Sequence, residues 1–294
     1  MENWIGFLIV GVACVLFITI RKIVNPAKPF TSIIWGNGKD AEVRSGPEQW
    51  VSECEERERD RREVDELVRD GALDTRYTLV DEFEETRRLL YEAHDFEGVE
   101  RELADRFSKT ADPIATLRYS DLVARLSEPT YLDDFEEMLG TLNMWVAHGG
   151  SSYYALLIRG LFYIHYGWYF RGTGLRTEID SDHWAKFMHQ MDFAKVDLEQ
   201  AHSLNSKDAE PLVGLISAAC ILDSGDEGMR ESYERAIGLN RFHLGARMTY
   251  LNFLAPKWGG SLKKMYAMAE EANEASAELP QLRLVGLSAS ELAW

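Results

Sequence analysis

Cysteine is nearly absent from the chain: Cys14, Cys54 and Cys220 are three in 294 residues. They are odd in number and no CxxC pair exists. That argues against a disulfide framework and a thiolate zinc site, and it fits a reducing compartment. Proline is scarce as well, at 8, and no β-branched alternation recurs, so the expectation is an all-helical chain. Basic charge is the third shortage. Against 49 acidic residues stand 32 basic ones, a net charge of −17. Nucleic-acid binding needs cations that displace counterions from phosphates, so no nucleic acid is expected as partner. A basic protein is the better electrostatic complement; a surface charged only for solubility is the plain alternative.

Catalytic signatures are missing too. None of the seven histidines lies in HExxH, and no two stand at i,i+4. His183 and His189 fall on nearly opposite faces of a helix. Gly172-Thr173-Gly174 lacks both a preceding strand and a third glycine, and no Walker loop or GxSxG elbow exists. Ser151, Ser152 and Ser261 follow glycine pairs, where helix N-caps explain them. Asp133-Asp134 and Glu136-Glu137 read as a solvated helix face. The chain is therefore expected not to be an enzyme and to carry no metal or cofactor.

What is present is a repeat. Ala201 and Leu204-Asn205 recur as Ala236 and Leu239-Asn240, at a constant offset of 35 residues. A period near 34 marks stacked helix pairs of the tetratricopeptide kind. Helices are expected over 78–91, 95–107, from Asp112-Pro113 onward, and over 131–146, 153–170 and up to Leu204. Pairs 208–222 with 228–238, and 242–254 with 261–277, follow, and 281–292 closes the stack. Tyr153 to Phe170 is aromatic nearly all round, so it belongs at the centre.

Residues 4–20 are apolar or small apart from Thr19, long enough for roughly 26 Å of helix. Glu2 precedes this run, and Arg21, Lys22 and Lys28 follow it. This order is the reverse of a cleavable signal. It predicts a retained single-pass anchor in a bacterial inner membrane with the C-terminal part cytoplasmic. The expected organisation is a transmembrane anchor over 1–24, a linker and charged helix over 25–75, an N-terminal helical region over 76–150, and a tetratricopeptide-like solenoid over 151–294.

Two unusual loops, Arg171-Gly172-Thr173-Gly174 and Pro256-Lys257-Trp258-Gly259-Gly260, each join the first helix of a pair to the second. In a solenoid such turns share one edge, and helix packing distances predict about 20 Å between these two. Trp168, Arg171, Arg176, Lys257 and Trp258 would form an aromatic and basic partner-binding edge on an acidic protein. Such an edge suits an acidic peptide or carboxylate. In the alternative reading, Trp258 plugs a gap between helices, Gly259-Gly260 makes a sharp turn, and Arg171 caps carbonyls.

Tyr166-Gly167-Trp168-Tyr169-Phe170-Arg171-Gly172-Thr173-Gly174 and Pro256-Lys257-Trp258-Gly259-Gly260-Ser261 resemble the two hallmarks of a bacterial family of unknown function. Its members are similar to tetratricopeptide proteins, and the resemblance covers about residues 151–277. It implies a helical-repeat fold and brings no catalytic residues. Ser206 and Arg241 stand where the repeat consensus has proline. The functional expectation is a membrane-anchored scaffold that binds a protein or peptide in its groove or along its turn edge. The alternatives are an acidic immunity or inhibitor protein against a basic toxin, and a hydrolase or transferase working at the two loops.

Overall fold

The computed structural model describes residues 80–129, 134–148, 152–172, 176–222 and 227–292. The expected membrane span, the linker and charged helix, Thr173-Gly174 and the Ser224-Gly225-Asp226 turn lie outside these residues. Among the described residues there are eleven α-helices and no strand. They are α1 (Val80–Tyr91), α2 (Phe96–Phe107), α3 (Pro113–Ser127), α4 (Phe135–Ala147), α5 (Tyr153–Arg171), α6 (Ser181–Leu204), α7 (Glu210–Leu222), α8 (Glu227–Leu239), α9 (Leu244–Phe253), α10 (Leu262–Ala275) and α11 (Arg283–Leu292). None is long and apolar enough to cross a membrane.

Short polar side chains start the helices. Asp95, Asp112, Asp134, Asp180 and Ser261 each accept a hydrogen bond from a first-turn N–H. Each such cap contributes about 1 kcal/mol. His243 does the same for α9 through Nδ1, which accepts from Ala246 N–H at 3.1 Å. The 35-residue period appears in the loops as twin Asx turns. Asn205 Oδ1 accepts from Lys207 N–H, and Asn240 Oδ1 accepts from Phe242 N–H.

The odd-numbered helices form a row: α1 packs on α3, α3 on α5, α5 on α7, α7 on α9, and α9 on α11. Even-numbered helices pack against their sequence neighbours beside this row. The tightest part is α5, α6 and α7. A Cβ at Gly160 of α5 would lie 2.7 Å from Leu198 Cγ, and one at Gly214 of α7 would lie 2.6 Å from Leu198 Cδ1. Leu198 of α6 thus fills a slot that two glycines open. Arg159 of α5 clamps Asp197 of α6 with two bonds, at 2.7 and 2.9 Å, and reaches Asn143 of α4 at 2.9 Å. A forked guanidinium–carboxylate pair fixes orientation as well as contact. As its composition requires, α5 is buried along almost its whole length.

Leu198→Ala should therefore cost about 2–5 kcal/mol, and Gly160→Ala about 1–3, read from urea unfolding. A Leu198→Ala midpoint equal to wild type would show that the three helices do not share this slot.

Candidate functional site

Hydrogen bonds made by Thr116, Tyr119, Tyr153 and His243 join the first half of α3 to the starts of α5, α7 and α9, so the N-termini of these helices gather at one end and their C-termini at the other. Helix N-termini carry partial positive charge and C-termini partial negative charge. The thirteen residues of α7 set these two edges about 20 Å apart. Cationic side chains collect at the C-terminal edge, and buried carboxylates at the N-terminal one.

At the C-terminal edge the two unusual loops meet. The Trp168 and Trp258 rings stand 6.0 Å apart, edge to face, which corrects the expected 20 Å. The reason is helix length. α5 has 19 residues against 13 in α7, so it projects about 9 Å further. The 3₁₀ turn Pro256–Trp258 brings Trp258 to meet its last turns. That turn closes at Gly259, which adopts φ 86°. At Gly260 a Cβ would fall 1.9 Å from the Leu254 carbonyl oxygen, so glycine is required at both positions.

All five expected binding residues lie in this cluster, in different roles. Trp168 and Arg171 are buried, at 5% and 8% exposure. Trp168 packs on Phe187, and Arg171 donates to the Gly172 carbonyl at 2.8 Å. Trp258 is half-buried against Phe253. Trp168, Arg171 and the buried side of Trp258 thus make contacts within the fold, whereas the alternative reading gives such roles to Trp258 and Arg171 alone. Arg176 and Lys257 are exposed. The Arg176 guanidinium stacks 3.8 Å over Trp184, a ring outside the five, and the Lys257 ammonium lies 5.8 Å from the Trp258 centroid. The indole N–H groups of Trp168 and Trp258 are buried donors with no acceptor.

Crowded cations shift one another. Burial, then repulsion from Arg176, draws Arg171 down to about 10. Desolvation, then the Arg171 charge, draws Lys257 down to about 7, although the residue as a whole stays solvent-exposed. That exposure limits the energetic weight of the shift.

The N-terminal edge holds an arrangement that sequence reasoning missed. Asp208, just before α7, has both oxygens engaged: Tyr119 and Tyr153 donate to Oδ2, the latter at 2.6 Å, and Glu210 N–H donates to Oδ1 at 3.0 Å. Ser120 donates to Glu210 Oε1, and His243 Nε2 approaches the same oxygen at 3.0 Å. Since His243 Nδ1 accepts from Ala246 N–H, Nε2 carries the ring proton and donates. Burial disfavours a charged imidazole, but Glu210 and Asp208 outweigh it and raise the His243 pKa. A second proton would land on Nδ1 and break the α9 cap. Burial and the Glu210 charge push Asp208 up to about 6, against its three donors. Beside this network opens a cavity of about 330 Å³.

One signal pointed here. Asp208 and His243 differ by the same 35 residues as the repeat, so both stand just before the first helix of a pair. Histidine is an uncommon cap, and motif searches pass over it. Among the described residues, no group of His, Cys, Asp and Glu is placed to hold a metal.

The Lys257 shift has a measurable sign. The folded amine titrates near 7 and an unfolded one near about 10.4. The cost of the charged amine is full below pH 7 and fades as pH rises towards the unfolded value. Wild type should gain stability relative to Lys257→Met between about pH 7 and 10, read from urea midpoints. Parallel pH profiles would show an unperturbed amine. No protein-family model, no curated protein and no solved structure matches the chain, so the functional reading rests on this geometry.

Proposed function

We propose that the chain is a membrane-anchored helical-repeat scaffold that holds an acidic protein or peptide segment against its C-terminal edge. The observation that carries the reading is that Arg176 and Lys257, from loops about 80 residues apart, both interact electrostatically with Arg171, beside Trp258 where it meets Trp168. Such a surface offers charge to a carboxylate and flat apolar area to its neighbours, the pairing found at binding hot spots. The packed base of Trp168, Phe187 and Phe253 holds that surface rigid, which lowers the entropy cost of binding.

The tetratricopeptide-like solenoid is part of this proposal. The row of odd helices and the twin Asx turns at the 35-residue offset support it. So does the resemblance of the YGWYFRGTG and PKWGGS stretches to a bacterial family of unknown function. The anchor rests on residues 4–20, and a cytoplasmic helical domain on Arg21, Lys22 and Lys28. Anchoring confines encounters to the membrane surface and raises effective concentration. An acidic inhibitor of a basic toxin is the second reading, favoured by the net charge of −17. It would place the ligand on an acidic face instead.

Arg176→Ala, Lys257→Ala should test the edge, because both side chains are exposed and their loss leaves the base packed. Pull-downs from native membranes should recover proteins with wild type that the double variant loses. Equal recovery would show that binding occurs elsewhere. Orientation is read separately: a periplasm-only reporter at the C-terminus should stay inactive, and activity there would reverse the assignment.

A further inference from the structure

The cavity at the N-terminal edge lies outside the proposed peptide-binding edge. Its volume, about 330 Å³, falls at the small end of ligand sites, which span roughly 300–1,000 Å³. It has room for a small molecule or one inserted side chain, and no room for a helix. Three turns build it: the one before α3, the one between α6 and α7, and the one between α8 and α9. Phe107, Tyr119 and Phe242 supply aromatic walls, and Thr110, Thr116 and Asn240 supply polar ones.

The carboxylates at its inner end are not equally engaged. Asp208, 3% exposed, has both oxygens hydrogen-bonded. Glu210, 5% exposed, takes Ser120 and His243 on Oε1 alone. Among the described residues no donor reaches its Oε2, and that atom keeps some access to solvent. Glu210 lines the cavity, which makes this second oxygen an acceptor within reach of a ligand there. A carboxylate oxygen with no protein donor, on a side chain this deep, is left to water or to a ligand that can donate to it.

Among the described residues, the neighbouring cations do not answer it. Arg241 is paired with Glu278 and lies 4.6 Å over the Phe242 ring. His243 spends its one N–H on Oε1. Lys207 forms no ion pair with either carboxylate among the described contacts, and it lines the cavity from an exposed position. An anionic ligand would meet two buried carboxylates. A hard metal ion needs several open oxygens, and one is on offer. An organic cation fits both the oxygen and the rings, since ammonium and guanidinium groups are attracted to aromatic faces.

We infer that the cavity beside Asp208 and Glu210 binds a small organic cation, an ammonium or guanidinium group, with Glu210 Oε2 as its principal acceptor and Phe107 and Tyr119 as its walls. The mutual repulsion of the two carboxylates falls when such a cation enters. The group comes from a free metabolite or from an arginine or lysine side chain of a peptide; the chemistry is the same.

Calorimetry on the full chain in detergent tests this with three probes: agmatine, an N-acetylated and C-amidated tripeptide with arginine at its centre, and the same tripeptide with neutral citrulline. Wild type should bind at least one cationic probe saturably and the citrulline tripeptide at least tenfold more weakly. Binding of agmatine alone assigns a free metabolite, and binding of the tripeptide assigns a side chain. Glu210→Gln, with folding checked by thermal melting, should weaken binding at least tenfold. Ala111→Trp, at the exposed mouth, should block binding without touching the buried hydrogen bonds, so the test survives if Glu210→Gln fails to fold. The inference falls if wild type binds neither cation, if citrulline binds equally well, or if folded Glu210→Gln or Ala111→Trp binds as tightly as wild type.

Discussion

The alignment of the odd-numbered helices is the constraint on which the other features depend. Five successive contacts, from α1–α3 to α9–α11, place these helices side by side. Once they share a direction, their dipoles add at each end. The N-terminal end tolerates Asp208 and Glu210 in near-complete burial because tyrosine, serine and backbone donors meet them there. The C-terminal end collects Arg171, Arg176 and Lys257. A polar asymmetry thus follows from packing, on a chain whose overall charge is strongly acidic.

The close packing that fixes the row is made by small residues meeting a branched one. Gly160 and Gly214 face Leu198 from two sides, and the Arg159–Asp197 fork one residue away sets the rotation of α6 against α5. Rigid cores of this kind hold surface loops in position. The depth of α5 explains why Trp168 and Arg171 are structural. Both are buried in the last turn of α5, while Tyr169 and Phe170 between them stay partly exposed.

Most helices were legible from sequence because their stop and start signals are local. Ser261 reads as a cap and Asp112-Pro113 as a helix start, and helix limits fall within a few residues of the expected ones. The gathering of the two loops was legible from their position in the repeat. Their 6.0 Å contact was not, because it depends on α5 outrunning α7. Glu136 is exposed, as its solvated-face pattern implies, and it also accepts from Tyr166 of α5. The cavity network was hidden for a similar reason. Tyr119, Tyr153, Asp208 and His243 come from four places in the chain, and no short motif contains them. Only the 35-residue spacing of Asp208 and His243 left a trace.

The central claim, that the N-terminal ends of α5 and α7 meet in one row, is tested most directly by a double-mutant cycle on Tyr153→Phe and Asp208→Asn. Their hydrogen bond joins the two helix starts at 2.6 Å. Urea unfolding of the two single variants and the double variant should give a coupling energy of about 0.5–3 kcal/mol. Additive effects, with coupling near zero, would contradict the alignment and with it the two-edged architecture.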